Sequence, residues 1–190
     1  ENVVLLQIRD RELLKKASLF KDAIKKYPDV LAVGASDASV GSDYWVATFQ
    51  AEIDDQMKAF DIKRLEVDEN FTHVYELELV EGRFFNMDRK GDLSNCLLNE
   101  AAVQKLGLGT DVVNKRIRFG DNEEGLVIGV VKNFYFTSKH NEVEPLFICL
   151  SPDGLYTRIV SVKVAPLALR RTIGDLKHEW DSFSPDSEFS

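Results

Sequence analysis

The chain has 190 residues, with 24 Lys plus Arg against 32 Asp plus Glu, a formal net charge of −8, and 44% hydrophobic and 29% charged residues. That is globular composition, long enough to bury roughly 70% of the unfolded surface, and its acidic balance argues against a nucleic-acid footprint or an anionic membrane partner. The longest stretches without a charge, 44–51 and 145–152, are eight residues each, whereas a membrane helix needs about 20.

Residues 3–8 (VVLLQI) are an apolar run of strand length. Asp10 is placed to cap a helix on which Leu13, Ala17, Phe20, Ile24 and Tyr27 repeat at helical steps, and Pro28 stops it. Val30-Leu31-Ala32-Val33 reads as a second buried strand, completing a βαβ-like unit. The polar, glycine-bearing stretch 39–43 is the best candidate for a boundary. Strand signals follow at 44–51 and 58–67, with Asp54-Asp55 as turn residues between them. Asn70 can cap a short helix carrying Phe71, Val74 and Tyr75, and Gly82 ends the stretch after it.

Leu97-Leu98 precedes Asn99, an N-cap for a helix with Ala102, Val103 and Leu106 on one face and Gly107 at its C′ position. Residues 116–119 and 125–134 flank a polar hairpin signal, and 143–150 and 157–164 read as further strands. Pro166 stands where the first turn of a helix would begin, and Leu169, Ile173, Leu176 and Trp180 form its apolar face. Glu188-Phe189 points toward a last strand. The two chain ends thus resemble each other around a strand-rich middle. The chain opens at Glu1 rather than Met, so a piece of a longer protein is expected.

Chemical motifs are sparse. Ser18-Leu19-Phe20-Lys21 matches S-x-x-K but lies mid-helix without its companion motifs. Gly107-Leu108-Gly109 follows a helix, whereas a dinucleotide loop precedes one. There is no P-loop, and His73, His140 and His178 have no ligand spacing between them. Cys96 and Cys149 make no CxxC and are flanked by apolar residues, which reads as two buried thiols and leaves a disulfide open. No catalytic residue, cofactor site or metal site is expected.

Three segments carry a resemblance. They are Leu79-Val80-Glu81-Gly82-Arg83-Phe84-Phe85 with Asp88, the run 97–107 (LLNEAAVQKLG), and 128–136 (IGVVKNFYF) followed by Ser138, His140 and Pro145. Their order and spacing resemble the MacB-like periplasmic core domain of FtsX-related ABC transporter permeases, particularly those of Bacteroidetes-type bacteria. Asn133 departs from the pattern, since the family more often carries Asp there. The motif residues have scaffold readings as well. Gly82 permits a left-handed turn, Arg83 donates to carbonyls or to Asp88, and Gly129 admits a close neighbour.

The resemblance implies an α+β fold of two lobes. A porter-like lobe would comprise 1–41 and 141–190, and a strand-rich lobe, called Sabre in this family, would be inserted as 42–140. It implies a non-catalytic domain on the periplasmic face of the bacterial inner membrane, with one membrane helix before Glu1 and three after Ser190. The implied partners are a cytosolic ABC ATPase reached through the full-length permease, a periplasmic adaptor and a second permease copy. The expected role is to couple ATP-driven helix motion to substrates or partner proteins outside. Exposed aromatic residues mark interfaces, so Tyr44, Trp45, Phe84, Phe85, Tyr135 and Phe136 are the candidate interaction surface. Two other readings remain. One is a sensor binding a ligand between the lobes. The other is a hydrolase in which His140 or Ser36 sits beside a base.

Overall fold

The structure is a computed structural model describing residues 2–39, 44–119, 124–134, 143–151 and 157–189. Its first part is built from both chain ends. β1 (Asn2–Gln7), α1 (Arg11–Lys15), α2 (Ala17–Ile24) and β2 (Val30–Ser36) form the strand–helix–strand unit. β10 (Ile159–Val164) inserts between β1 and β2, antiparallel to both, and α5 (Leu169–Phe183) packs beside α2. Asp10 caps α1 by accepting from the Leu13 N–H at 2.7 Å. Leu13, Phe20 and Ile24 from the helical stripe meet Val33, Val162, Leu176 and Trp180 in one apolar core. The Phe20 ring stands edge-on to Trp180 at 5.8 Å.

Two expectations fail in this part. α5 begins at Leu169 rather than at Pro166, because the chain first makes a turn with Leu167 at φ 68°. Residues 188–189 form no strand. Phe189 instead packs its ring against Trp180 at 5.7 Å, and the Trp180 indole N–H donates to Ser187 Oγ. An apolar ring found a local partner before a sheet edge.

The second part is a closed ring of strands. β3 (Trp45–Ile53), β4 (Gln56–Val67), β6 (Cys96–Asn99), β7 (Arg116–Phe119), β8 (Glu124–Val131) and β9 (Leu146–Leu150) pair in the circuit β4-β3-β7-β8-β6-β9 and back to β4. β5 (Leu79–Gly82) pairs with β8 outside the circuit. Asp54 and Asp55, both at positive φ, make the tight β3–β4 turn. Phe49, Ile62, Leu98, Ile117, Val127 and Phe147 fill the interior, with α4 (Glu100–Leu106) adding Ala102 and Leu106. Outward-facing Leu65, Leu97, Ile128, Ile148 and Leu150 are also buried, in a separate core with α3 (Phe71–Val74), Leu77 and Phe85. Strands buried on both faces read as continuous apolar runs, which explains LFICL and VIGVV.

α3 lies against the chain-end sheet at Gly34, where an added Cβ would sit 2.9 Å from the Phe71 backbone. The strand pairing that joins the two parts is narrow. Ser36 of β2 faces Val67 of β4, flanked by Asp37 N–H to Glu66 C=O and Asp68 N–H to Ala35 C=O, each 2.9 Å. The boundaries expected at 41/42 and 140/141 lie among residues outside those described. β9, beyond the second boundary, pairs with β4 and β6.

Candidate interaction surface

The aromatic candidates separate by burial. Trp45 is 72% exposed and Val46 62%, and together they open β3. β4 pairs with β3 along its length, but β7 reaches only residues 49–51, so 45–48 keep one edge unpaired among the described residues. Such an edge beside apolar side chains is a template for a partner strand. Tyr44 and Phe84 are half-buried against the junction core, and Phe85 is 8% exposed within it. The turn that Gly82 allows, at φ 82°, folds Phe85 inward. Tyr135 and Phe136 lie outside the described residues.

The same turn is held by a polar hub. Arg83 grips Asp92, not Asp88, through two bonds of 2.6 and 2.7 Å, and also donates to the Phe84 carbonyl. Asp92 is 1% exposed and accepts further bonds from the Asn86 N–H and Asn95 Nδ2. Burial works against its charge, yet these donors hold its carboxyl below the ordinary value. Asp88 is an exposed turn residue whose N–H goes to Asn86 Oδ1. A fork of two bonds selects the carboxylate that the 3₁₀ turn Lys90–Leu93 brings alongside, and sequence distance carries no such information.

Asn99 caps α4 through the Ala102 N–H at 2.8 Å and holds the start of β9 by accepting from Leu146 N–H and donating to Glu144 C=O. Asn133 accepts from the Ala101 N–H through Oδ1, a role its amide oxygen fills without a charge. Gly129 lets β5 approach closely, since a Cβ there would stand 2.6 Å from the Arg83 carbonyl.

At the joint between the two parts, Lys21 of α2 meets Asp68 at 2.7 Å, with both side chains largely buried. Beside it, Asp37 Oδ1 accepts from the Glu66 N–H, and Arg64 pairs with Glu66 at 3.0 Å. Glu66 Oε2 and Arg64 Nε have no hydrogen-bond partner among the described residues. Burial pushes the Asp37 carboxyl up to about 6, and the Glu66 charge adds to the rise. A cavity of about 430 Å³ opens here, lined by Ser18, Lys21, Asp68, Met87, Ser151 and Thr157. A second, more open groove of about 610 Å³ lies between β5 and α4 over Val80, Val103, Val112 and Val130. Val80 is its exposed rim, a residue no aromatic pattern would single out.

Ser36 is fully buried and donates to the Ala38 carbonyl. His73 and His178 are exposed on their helices, and His140 lies outside the described residues. Among the described residues, no three His, Cys, Asp or Glu are grouped to hold a metal ion, and no helix is long and apolar enough to cross a membrane.

The MacB-like periplasmic core domain family matches residues 5–168. The chain belongs to this family. Its backbone is similar to the extracellular domain of the ABC-type transporter YknZ from Gram-positive bacteria, with a TM-score of 0.66 at 17% identity over 99% of this chain and 97% of that one. It is also similar to the periplasmic region of MacB from Actinobacillus actinomycetemcomitans, with a TM-score of 0.67 at 13% identity over 99% of this chain and 86% of that one. No curated protein matches the sequence. The α+β class expected from the sequence is that of this family. As a MacB-like periplasmic core domain, the chain is an extracytoplasmic part of an ABC transporter permease at the inner membrane.

Proposed function

We propose that this MacB-like domain is a non-catalytic lever, passing ATP-driven motion of the permease's membrane helices to substrates or proteins outside. The observation that carries this reading is the build of the joint. A helix-covered part made from both chain ends meets a closed strand ring through one facing strand pair, Ser36 and Val67, with α3 resting on β2 at Gly34 and the Lys21–Asp68, Tyr75–Ser161 and Lys163–Glu76 contacts around it. In this reading the two parts are the porter-like and Sabre-like lobes, and membrane helices pull on the chain-end lobe. Two arrangements about the joint would differ in population with nucleotide state. ATP chemistry is assigned to a cytosolic ATPase. Trp45, Val46 and the β3 edge at 45–48, unpaired among the described residues, are the first contact surface for an adaptor or a second permease copy.

Spin labels at Leu31→Cys on β2 and Arg118→Cys on β7, both exposed, would test it in the full-length permease with its ATPase. The expected result is a shift in the inter-label distance between the nucleotide-free and ATP-bound states. An unchanged distance distribution overturns motion about the joint.

The joint cavity supports a second reading, a ligand-sensing cleft. Its volume falls in the range of about 300–1,000 Å³ typical of small-molecule sites, and the Ser151 hydroxyl lining it is buried without a partner among the described residues.

A further inference from the structure

Cys96 and Cys149 stand directly opposite each other in the antiparallel β6–β9 pair. They are 0% and 1% exposed, belong to the same interior core, and the structure holds both as free thiols. The backbone bonds define which kind of pair they form. The Pro145 carbonyl accepts from Lys63 on β4, and the Ser151 N–H donates to Val67 on β4. Odd-numbered residues of this segment, Cys149 included, therefore turn their backbone groups toward β4. The Leu146 N–H turns the other way, to Asn99 at the end of β6.

Cys149 thus exchanges no backbone bond with Cys96, and the two make a non-hydrogen-bonded pair. That is the closer of the two antiparallel pair types, with Cα atoms about 4.5 Å apart and side chains on one face. A disulfide spans Cα separations of about 4.4–6.8 Å. The Cys149 thiol makes a long contact of 4.0 Å to the Leu65 carbonyl.

We propose that Cys96 and Cys149 are a disulfide site that staples the β6–β9 seam and so locks the strand ring. The site rests on the family's periplasmic placement, a compartment where disulfides form and persist. The oxidant is a protein or small-molecule disulfide. One cysteine thiolate attacks it, forming a mixed disulfide and releasing one oxidant thiol. The second cysteine thiolate then attacks the mixed disulfide, forming Sγ96–Sγ149 and releasing the second oxidant thiol. Two thiol hydrogens and two electrons pass to the oxidant. In the folded ring both sulfurs are hidden from any oxidant, and burial pushes both thiols up, away from the reactive thiolate. Exchange therefore precedes the docking of β9 on β6.

The test uses the full-length permease isolated from a host with an oxidising periplasm, denatured in N-ethylmaleimide and digested with trypsin without reductant. The expected result is no label on either cysteine, with peptides 91–105 and 140–158 joined and two hydrogens lighter than their sum. Label on both cysteines overturns the proposal. In a host lacking its periplasmic dithiol oxidant, both cysteines should take label, and only after denaturation. Oxidised glutathione added to that folded, reduced permease should leave them unlinked, and rapid linking would overturn the order of events. Failure here leaves the lever reading standing, since the distance shift about the joint is measured at other positions.

Discussion

The two parts of the domain solve the burial problem differently. The chain-end part lays α1, α2 and α5 over a three-stranded sheet, so each helix needs one apolar stripe and leaves a polar face to water. The ring buries strands on both faces, inward around Phe49 and Phe147 and outward around Leu65 and Ile148. The first part therefore tolerates change on its helix surfaces. The second has backbone packed on backbone and polar hubs enclosed within it, and has little room to yield.

The largest expected effect comes from the ring's polar hub. Asp92→Ala removes a buried acceptor of four bonds and strands Arg83 and Asn95. It should lower the unfolding free energy by about 3–5 kcal/mol, measured by urea denaturation. A loss under 1 kcal/mol would mean that the hub is dispensable and the contrast overdrawn.

The same glycine-to-alanine change should act with opposite sign in the two parts. In the ring, a Cβ at Gly125 would lie 1.7 Å from the Ser94 carbonyl oxygen, so Gly125→Ala should destabilise by about 1–3 kcal/mol. In α5, nothing lies within 4 Å of a Cβ at Gly174, and Gly174→Ala should stabilise by about 0.5–1 kcal/mol. Thermal melts of the two variants check this directly, and shifts of the same sign would erase the distinction.

Between these in size is a pH effect at the joint. The Asp37 carboxyl is raised from 3.8 to about 6 in the fold, so the native state keeps a proton that the unfolded chain has lost. Stability from this group is therefore full below about pH 4, falls as pH rises to about 6, and stays low above. Asp37→Asn keeps the acceptor for the Glu66 N–H and removes the charge. It should flatten that slope and gain about 1 kcal/mol at pH 7, after allowing for solvent screening of a partly exposed group. Parallel pH profiles for the two proteins would remove Asp37 from the account.

Much of the local structure was legible in the residues. Asp10 and Asn99 announced helix starts, Asp54-Asp55 a turn, Gly107 a helix end, and the stripe from Leu13 to Ile24 a core-facing helix. Each depends on contacts within a few residues. The chemistry of the candidate surface was less legible. Aromatic type alone does not separate Trp45, left exposed at the start of β3, from Phe85, turned inward behind Gly82. Arg83 advertised a carboxylate partner, but the choice of Asp92 over Asp88 needed the turn that brings it alongside.

The sequence by itself determined most of the strand and helix succession, the acidic balance, the missing nucleotide and metal motifs and, through three motif runs, the family. The tertiary structure alone decided that β10 enters between β1 and β2, that six strands close on one another, and that Cys96 faces Cys149. The physical reason is range. Capping, turns and amphipathic stripes are settled by neighbours a few residues away, whereas the cysteine pairing joins residues 53 positions apart and ring closure between β4 and β9 joins residues 83 apart, where many pairings satisfy the same apolar pattern and only simultaneous packing selects one.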